Sequence, residues 1–171
     1  PYVPLNFKLK LTKKFMPIIL KATAKFSRQN IVLNLDDWRY FRNELGIKKN
    51  IVLIKGEGVN INLFNLTKIN SSTLKAVKEE LHSGNPTNIT MITRMIWSKG
   101  VREFVESAKI LKRKYRENIV LILVGNIDEL HPGKVDIEYL KHAAQTGFIK
   151  WLGFRTDIRE ILYISDIFVL P

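Results

Sequence analysis

The 171-residue sequence contains no cysteine, which excludes disulfide bonds, a thiol nucleophile and thiolate metal ligands. It also contains no apolar run approaching the roughly 20 residues that a membrane-spanning helix needs. The first basic and apolar stretch includes Pro17 and is broken by lysines, so it lacks the form of a signal peptide. These absences are compatible with a globular protein of a reducing cytoplasm.

Several motifs with well-defined chemistry are also missing. The sequence has no Walker A loop, no HExxH pair and no G-x-S-x-G elbow. The histidines do not have the spacing of metal ligands, and surface positions are expected for His82, His131 and His142. No metal site is therefore predicted.

Acidic residues are few beside basic ones, and the net charge is +12. Such a charge attracts polyanions, which here means nucleic acid, an anionic membrane surface or a phosphorylated ligand. The RNA-reading patterns are missing, since there is neither a glycine–aromatic strand motif nor a GXXG loop. A basic nucleic-acid-binding module remains an alternative that explains the charge alone.

The stretch from Asn6 to Arg28 has helical periodicity with one apolar face and one lysine face. Two interpretations are open. The lysines of Lys8–Lys25 can rest on an anionic membrane surface, or the helix can pack on a sheet with its lysines in water. The second is favoured because such helices are common in soluble domains. The apolar face consists of Phe7, Leu11, Phe15, Ile18, Ile19, Ala22 and Phe26.

The remaining sequence alternates short β-branched runs with helical patterns, which predicts βαβ units, parallel sheets and helices on both sheet faces. We predict strands at residues 31–34, 51–54, 89–93, 119–124, 148–152 and 167–170. We predict helices at residues 36–45, 74–81, 136–145 and 156–163, with Thr156 capping the last, and a further helix after an N-cap at Ser98. Residues 56–64 are predicted to form a connector.

Residues 88–100 are the most informative stretch. A buried strand ends near Thr93, and Val101, Phe104 and Val105 begin the apolar stripe of a helix. Arg94 and Lys99 therefore lie in a strand-to-helix loop, where helix N–H groups and the helix dipole favour an anion. Ligands of parallel sheets bind at the carboxyl ends of the strands. Because Arg94, Gly125 and Gly153 all follow strands, we expect their loops to converge at one sheet edge.

Residues 93–100, T-R-M-I-W-S-K-G, resemble the G-R-x-x-x-x-K-G segment of group 1 (family 4) retaining glycosyltransferases of the GT-B fold. The similarity continues through L-I-L-V-G at 121–125, W-L-G-F at 151–154, T-D-I at 156–158 and S-D-I-F-V-L-P at 165–171. Upstream, G-E-G-V-N-I-N-L-F at 56–64 resembles the interdomain segment of that family. Asn34 with Asp36 and Asp37 resembles the end of its first domain. The motifs occur in family order over residues 20–171.

This resemblance implies roles for individual residues. Arg94 and Lys99 would bind the diphosphate of a nucleotide-sugar and stabilise the leaving nucleotide diphosphate electrostatically. Gly125 would let the backbone approach the ligand, while Phe154 and Arg155 would border the base. No cofactor and no metal are expected, since the cationic pair replaces the metal.

The implied activity is transfer of a hexose, with retention, from a nucleotide-diphosphate sugar such as a UDP-sugar to a glycan or lipid-linked acceptor. The setting would be bacterial cell-surface polysaccharide synthesis, in the cytoplasm or peripherally on the inner face of the membrane, with no nucleic-acid partner. Another GT-B enzyme, such as a sugar-nucleotide epimerase, is a further alternative, although it would lack the Gly-x-Gly-Val segment.

The resemblance also implies that the sequence is incomplete. Residues 1–64 would be the end of the acceptor-side domain with the interdomain segment, and residues 65–171 a truncated nucleotide-sugar-binding domain. The paired carboxylates of the family are expected beyond Pro171, so the chain alone is expected to be inactive. Thr93 departs from the family's glycine and is expected to crowd the loop.

Overall fold

The computed structural model describes residues 7–56, 58–81, 85–115 and 118–170, with side chains from residue 15 onward. The chain forms two compact units, Pro1–Asn60 and Ile61–Pro171. Parallel strands linked by helices occur in each unit, which confirms the predicted α/β class. The division falls inside the predicted connector, whose described residues form neither helix nor strand.

The first unit contains two short parallel strands with a helix between them. Strand β1 (Asn30–Val32) pairs with β2 (Ile51–Leu53), and α2 (Leu35–Arg39) continues into a π-helical turn, Tyr40–Glu44. Asn34 caps α2, because its side-chain oxygen accepts the Asp37 N–H at 2.7 Å. The chain then turns at Gly46, whose φ of +70° suits a residue without a Cβ.

Helix α1 (Phe7–Phe26) confirms the predicted helix, but its packing differs from the favoured interpretation. Phe15, Ile18, Ile19 and Phe26 are all exposed. The less exposed stripe is instead Pro17 and Leu20, which are half-buried, and Ala24, which is buried. Two three-residue strands offer too little surface to cover the predicted apolar face of a 20-residue helix. Contact of the lysine face with a membrane stays a prediction. In the part of the chain that the structure describes, no helix combines the length and apolar character needed to cross a membrane.

The second unit is a four-stranded parallel sheet in the order β5-β4-β3-β6. Strands β3 and β4 are the longest and stay in register from Thr87 opposite Ile119 to Ile92 opposite Val124. The elements are α3 (Ser71–Leu81), β3 (Thr87–Ile92), α4 (Val101–Tyr115), β4 (Ile119–Val124), α5 (Ile137–Gln145), β5 (Lys150–Trp151), α6 (Ile158–Tyr163) and β6 (Ile167–Phe168).

Strand β4 shows why helices cover both faces of this sheet. Leu121 and Leu123 point into a core formed with α4 and α5, and Ile122 and Val124 point into a second core formed with α3 and α6. A strand buried on both faces is apolar throughout, which is the pattern of residues 119–124. Burial of each such side chain contributes about 1.5–3 kcal/mol. The central strands are thereby fixed, and their carboxyl ends form a rigid edge.

Strand β6 is held on β3 by polar groups, of which the Asn88 and Thr90 side chains are buried. The Asn88 amide nitrogen Nδ2 donates to the Ile164 carbonyl at 2.7 Å, and the Asn88 N–H donates to Asp166 Oδ2 at 2.7 Å. The Thr90 and Ser165 hydroxyls lie 2.6 Å apart. A strand of two residues makes few ladder bonds, so these side-chain bonds supply much of its attachment.

Two predicted helix caps are wrong. Ser98 lies inside a 3-10 turn, Trp97–Lys99, and α4 begins only after Gly100, which has a φ of +74°. Thr156 is likewise not a cap, because Asp157 occupies that position before α6. Asp157 makes no capping bond, since its carboxylate binds the Arg155 guanidinium instead. Strands β5 and β6 are also shorter than the predicted residues 148–152 and 167–170.

Candidate functional site

The loops that follow β3, β4 and β5 meet at one edge of the second unit and line an open pocket of about 530 Å³. Residues 92–94, 124–128 and 154–155, with Ile158, form its lining. The predicted convergence of loops is therefore confirmed. A larger cavity of about 720 Å³ lies elsewhere and includes Val120, Leu121, Ile149 and Lys150, at the starts of β4 and β5. Parallel sheets bind ligands at the carboxyl ends of their strands, so the smaller pocket is the functional candidate.

Gly125 joins the three loops of this pocket. A Cβ at this position would lie 1.8 Å from the Thr93 carbonyl oxygen, and its φ is +138°. Its N–H donates to the Gly153 carbonyl at 2.8 Å, and its own carbonyl accepts the Trp151 indole N–H at 3.0 Å. The glycine is thus required by the protein's own backbone, a reason separate from the predicted approach of a ligand.

Arg94 follows β3 and projects from a well-anchored backbone. The next residue, Met95, is fully buried, and its N–H donates to the Asn126 carbonyl at 3.0 Å. The Arg94 side chain is 62% exposed and makes one ion pair, from NH1 to Asp128 Oδ2 at 3.2 Å. An exposed pair of this kind contributes at most about 1 kcal/mol. Arg94 can therefore exchange the carboxylate for another anion.

Lys99 lies at the end of the 3-10 turn and is not part of the pocket lining. The turn itself uses the Lys99 and Gly100 N–H groups, which donate to the carbonyls of Ile96 and Trp97 at 3.0 and 3.2 Å. These N–H groups are therefore not free for a phosphate. The Lys99 side chain is exposed, and it pairs with no carboxylate among the described residues.

Phe154 and Arg155 follow β5 and behave differently. Phe154 is 73% exposed at the pocket. The Arg155 guanidinium binds Asp157 through Nε and NH2, at 2.8 and 2.7 Å, and Glu80 through NH1 at 3.0 Å. The hydrogen bonds that Arg155 donates to Asp157 are the main cause that raises the pKa of Arg155. The bond from Arg155 likewise lowers the pKa of Asp157.

The family model described as glycosyl transferases group 1 matches residues 73–171, the part of the chain that contains this pocket. The chain belongs to this family. It is also 36% identical to a Campylobacter jejuni protein, N,N'-diacetylbacillosaminyl-diphospho-undecaprenol alpha-1,3-N-acetylgalactosaminyltransferase. That similarity covers 99% of this chain and 43% of the relative, so the chain spans less than half of the relative's length.

Solved structures of glycosyltransferases share the fold. A glycosyltransferase from Rickettsia africae superposes with a TM-score of 0.68 at 24% identity, over 94% of this chain and 41% of that one. Anabaena HepE in complex with UDP-glucose superposes with a TM-score of 0.67 at 17% identity, over 94% of this chain and 43% of that one. The predicted GT-B type of fold is thereby confirmed.

The candidate pocket is bordered by acidic residues that the sequence did not single out. Asp128, Asp157 and Glu80 each bind one of the predicted cations. For Asp157, the only signal in the sequence was its position two residues after Arg155. Glu80 is separated from Arg155 by 75 positions, so only the tertiary structure brings them together.

The structure also gives the surroundings of Trp97 and of two of the three histidines. Trp97 packs edge-on against the Tyr139 ring, with 5.1 Å between the ring centroids, and lies under the Arg102 guanidinium. His142 is exposed, whereas His131 is partly buried and its Nδ1 accepts the Gly133 N–H at 3.0 Å. His82 lies outside the described residues. Within the described ranges no cluster of His, Asp and Glu side chains could hold a metal ion.

Proposed function

We propose that this chain binds the donor of a retaining glycosyltransferase, a nucleotide-diphosphate sugar of the UDP class, in the pocket at the carboxyl edge of β3, β4 and β5. The observation that carries the proposal is the meeting of Arg94, Gly125 and Phe154 around one pocket in a chain of this family. An exposed cation suits a diphosphate, and an exposed aromatic ring suits a base.

The chemistry assigned to this site is stabilisation of the leaving group. As the bond from the sugar to the diphosphate breaks, negative charge develops on the diphosphate oxygens. Arg94, which only an exposed ion pair restrains, turns its guanidinium to that charge. Lys99 adds a second cation from the adjacent turn. In this proposal the two side chains do the work that a metal ion does in other transferases.

For the whole protein we propose a lipid-linked or glycan acceptor. The support is the Campylobacter jejuni relative, whose name specifies an undecaprenol-linked acceptor and an N-acetylgalactosaminyl group. The similarity covers 43% of that relative. The acceptor is therefore proposed by analogy, whereas the donor pocket rests on residues of this chain.

Calorimetry with UDP tests the cationic pair. Arg94→Ala and Lys99→Ala should each weaken binding by about 1.5–3 kcal/mol, the usual contribution of a charged hydrogen bond. Arg113→Ala is the matched control, because Arg113 is an exposed cation on α4 and does not line the pocket. Unchanged affinity in both test variants would contradict the assignment.

A salt titration separates this function from nucleic-acid binding, which the net charge of +12 would also favour. Polynucleotide affinity falls steeply with salt because many phosphates release counterions, whereas a single diphosphate gives a shallow dependence. We expect UDP binding with a shallow slope. Tight, steeply salt-dependent binding of oligonucleotides without UDP binding would favour the alternative.

A further inference from the structure

Arg155 is the most completely paired cation at the pocket. Its Nε, NH1 and NH2 atoms all face carboxylate oxygens, two from Asp157 and two from Glu80, at 2.7–3.0 Å. The side chains of Arg155 and Asp157 are only 21% and 17% exposed. Arg94, with one bond and 62% exposure, differs in each respect.

This pairing makes Arg155 a poor ligand for a diphosphate. The guanidinium and its two carboxylates together carry a formal charge of −1, which repels an anion at close range. A phosphate would also have to displace bidentate bonds, the strongest geometry available to arginine. The distances therefore argue against direct contact between Arg155 and the diphosphate, whereas the family resemblance implied that Arg155 borders the base.

The same bonds hold a loop in place. Glu80 is in the last turn of α3, and Asp157 immediately precedes α6, so Arg155 connects both helices to the loop after β5. The other end of this loop is fixed, because the Gly153 carbonyl accepts the Gly125 N–H at 2.8 Å. Lys150 ties β5 to the same helix end by donating to the Glu80 and Leu81 carbonyls.

Phe154 lies between these two attachments. Its ring is 73% exposed, although both neighbouring residues are held by hydrogen bonds. The lining of the same pocket includes the apolar side chains of Ile92, Ile127 and Ile158. An exposed ring on a pocket with these apolar residues matches the flat apolar face of a nucleobase.

We propose that Arg155 is a positioning residue. Its clamp on Glu80 and Asp157 fixes the loop so that Phe154 presents its ring to the nucleobase, and Arg155 itself does not touch the ligand. This inference rests on the proposed nucleotide function of the pocket. It assigns Glu80 and Asp157 the same task, since each supplies half of the clamp.

The test compares the affinities of UDP and inorganic pyrophosphate for the full-length protein by calorimetry. Phe154→Ala should weaken UDP binding about tenfold, the loss of one stacked base, and leave pyrophosphate binding unchanged. Arg155→Lys, which keeps the charge but not the fork, and Glu80→Gln should act in the same direction by at least about threefold. Adding Phe154→Ala to Arg155→Lys should cost less than the sum of the two losses, because both act on one stack.

Glu79→Gln is the matched control for Glu80→Gln, because it removes the same charge at the neighbouring position. Glu79 forms its ion pair with Lys75 and not with Arg155. Thermal unfolding monitors the fold of every variant. Phe154→Ala, at an exposed position, keeps the test decisive if a clamp variant is unstable.

Three results would overturn the inference. Equal losses of UDP and pyrophosphate affinity in Arg155→Lys would show direct contact with the diphosphate. Stronger UDP binding in Glu80→Gln would show that the carboxylate competes with the ligand for Arg155. Unchanged UDP binding in Phe154→Ala would show that the Phe154 ring does not stack on the base. In that case, loss of pyrophosphate binding in Arg94→Ala would still support the proposed function. A wild-type protein that binds neither ligand would instead overturn the proposed function, and this inference with it.

Discussion

At Gly125, a single missing Cβ allows two loops of the site to approach each other. The Thr93 carbonyl occupies the space that any larger side chain would need. The family resemblance implied that Gly125 lets the backbone approach a ligand. The structure adds a steric reason for glycine that does not depend on a bound ligand. Thr93 itself, which departs from the family pattern, is accommodated because the close contact involves only its backbone.

Gly125→Ala should lower the free energy of unfolding by at least about 3 kcal/mol, because a backbone atom must move. Gly147→Ala is the control. The φ of Gly147 is +73°, but a Cβ added there would meet no atom within 4 Å, so this variant measures the cost of backbone strain alone, about 1–2 kcal/mol. Denaturant unfolding of both variants gives the comparison. Equal destabilisation would show that the clash is relieved at no cost.

The ion pair between Arg94 and Asp128 is expected to influence the affinity for UDP. If a diphosphate replaces Asp128 at the guanidinium, removal of the carboxylate should raise affinity. Asp128→Asn should strengthen UDP binding by up to about fivefold, the equivalent of an exposed ion pair. The gain should disappear when Arg94 is already alanine.

Glu129→Gln is the control for Asp128→Asn, since Glu129 is the adjacent acid and pairs with Lys134 instead. Calorimetry at one salt concentration is sufficient for all variants. Weaker UDP binding in Asp128→Asn would show that the carboxylate aligns Arg94 or contacts the ligand.

At the scale of elements, the short strand β6 depends on side-chain bonds rather than on its ladder. Asn88 is 4% exposed and joins β3 to the Ile164 carbonyl just before β6. Asn88→Ala should lower the free energy of unfolding by about 1–3 kcal/mol, because a buried carbonyl loses its donor.

Hydrogen exchange locates the effect of Asn88→Ala. Protection should fall first around β6, where Val169 N–H donates to the Thr90 carbonyl. Asn85→Ala, at an exposed position before the same strand, provides the comparison. A uniform loss of protection across β3, β4 and β6 would contradict a local role for Asn88.

Element positions were largely predictable where hydrophobic periodicity was strong. Residues 119–124 were predicted as a strand and are one, and the helix predicted over residues 136–145 is α5, with Asp136 as its N-cap. The caps at Ser98 and Thr156 were wrong because both helices begin later than predicted. The left-handed Gly100 comes before α4, and Asp157 rather than Thr156 occupies the N-cap position of α6.

At the scale of the whole molecule, the chain matches 43% of the length of its Campylobacter jejuni relative. Sugar transfer requires donor and acceptor to be held together in a closed site. We therefore expect the 171-residue chain to bind UDP but to transfer no sugar by itself. A radiolabelled transfer assay, run beside calorimetry on the same preparation, checks this. Measurable transfer by the isolated chain would show that a complete acceptor site is already present.

The sequence by itself determined the α/β class, the order of the elements, the family and the strand ends at which Arg94, Gly125 and Phe154 lie. These follow from local periodicity and chain order, because parallel strands bring their carboxyl ends to one edge. The tertiary structure alone decided which arginine stays exposed with a single ion pair and which is held by two carboxylates. Arg94 and Arg155 look alike in the sequence, but Glu80 reaches Arg155 only when α3 and α6 pack on the same sheet face. Charge pairing between distant residues depends on that packing, and no local pattern records it.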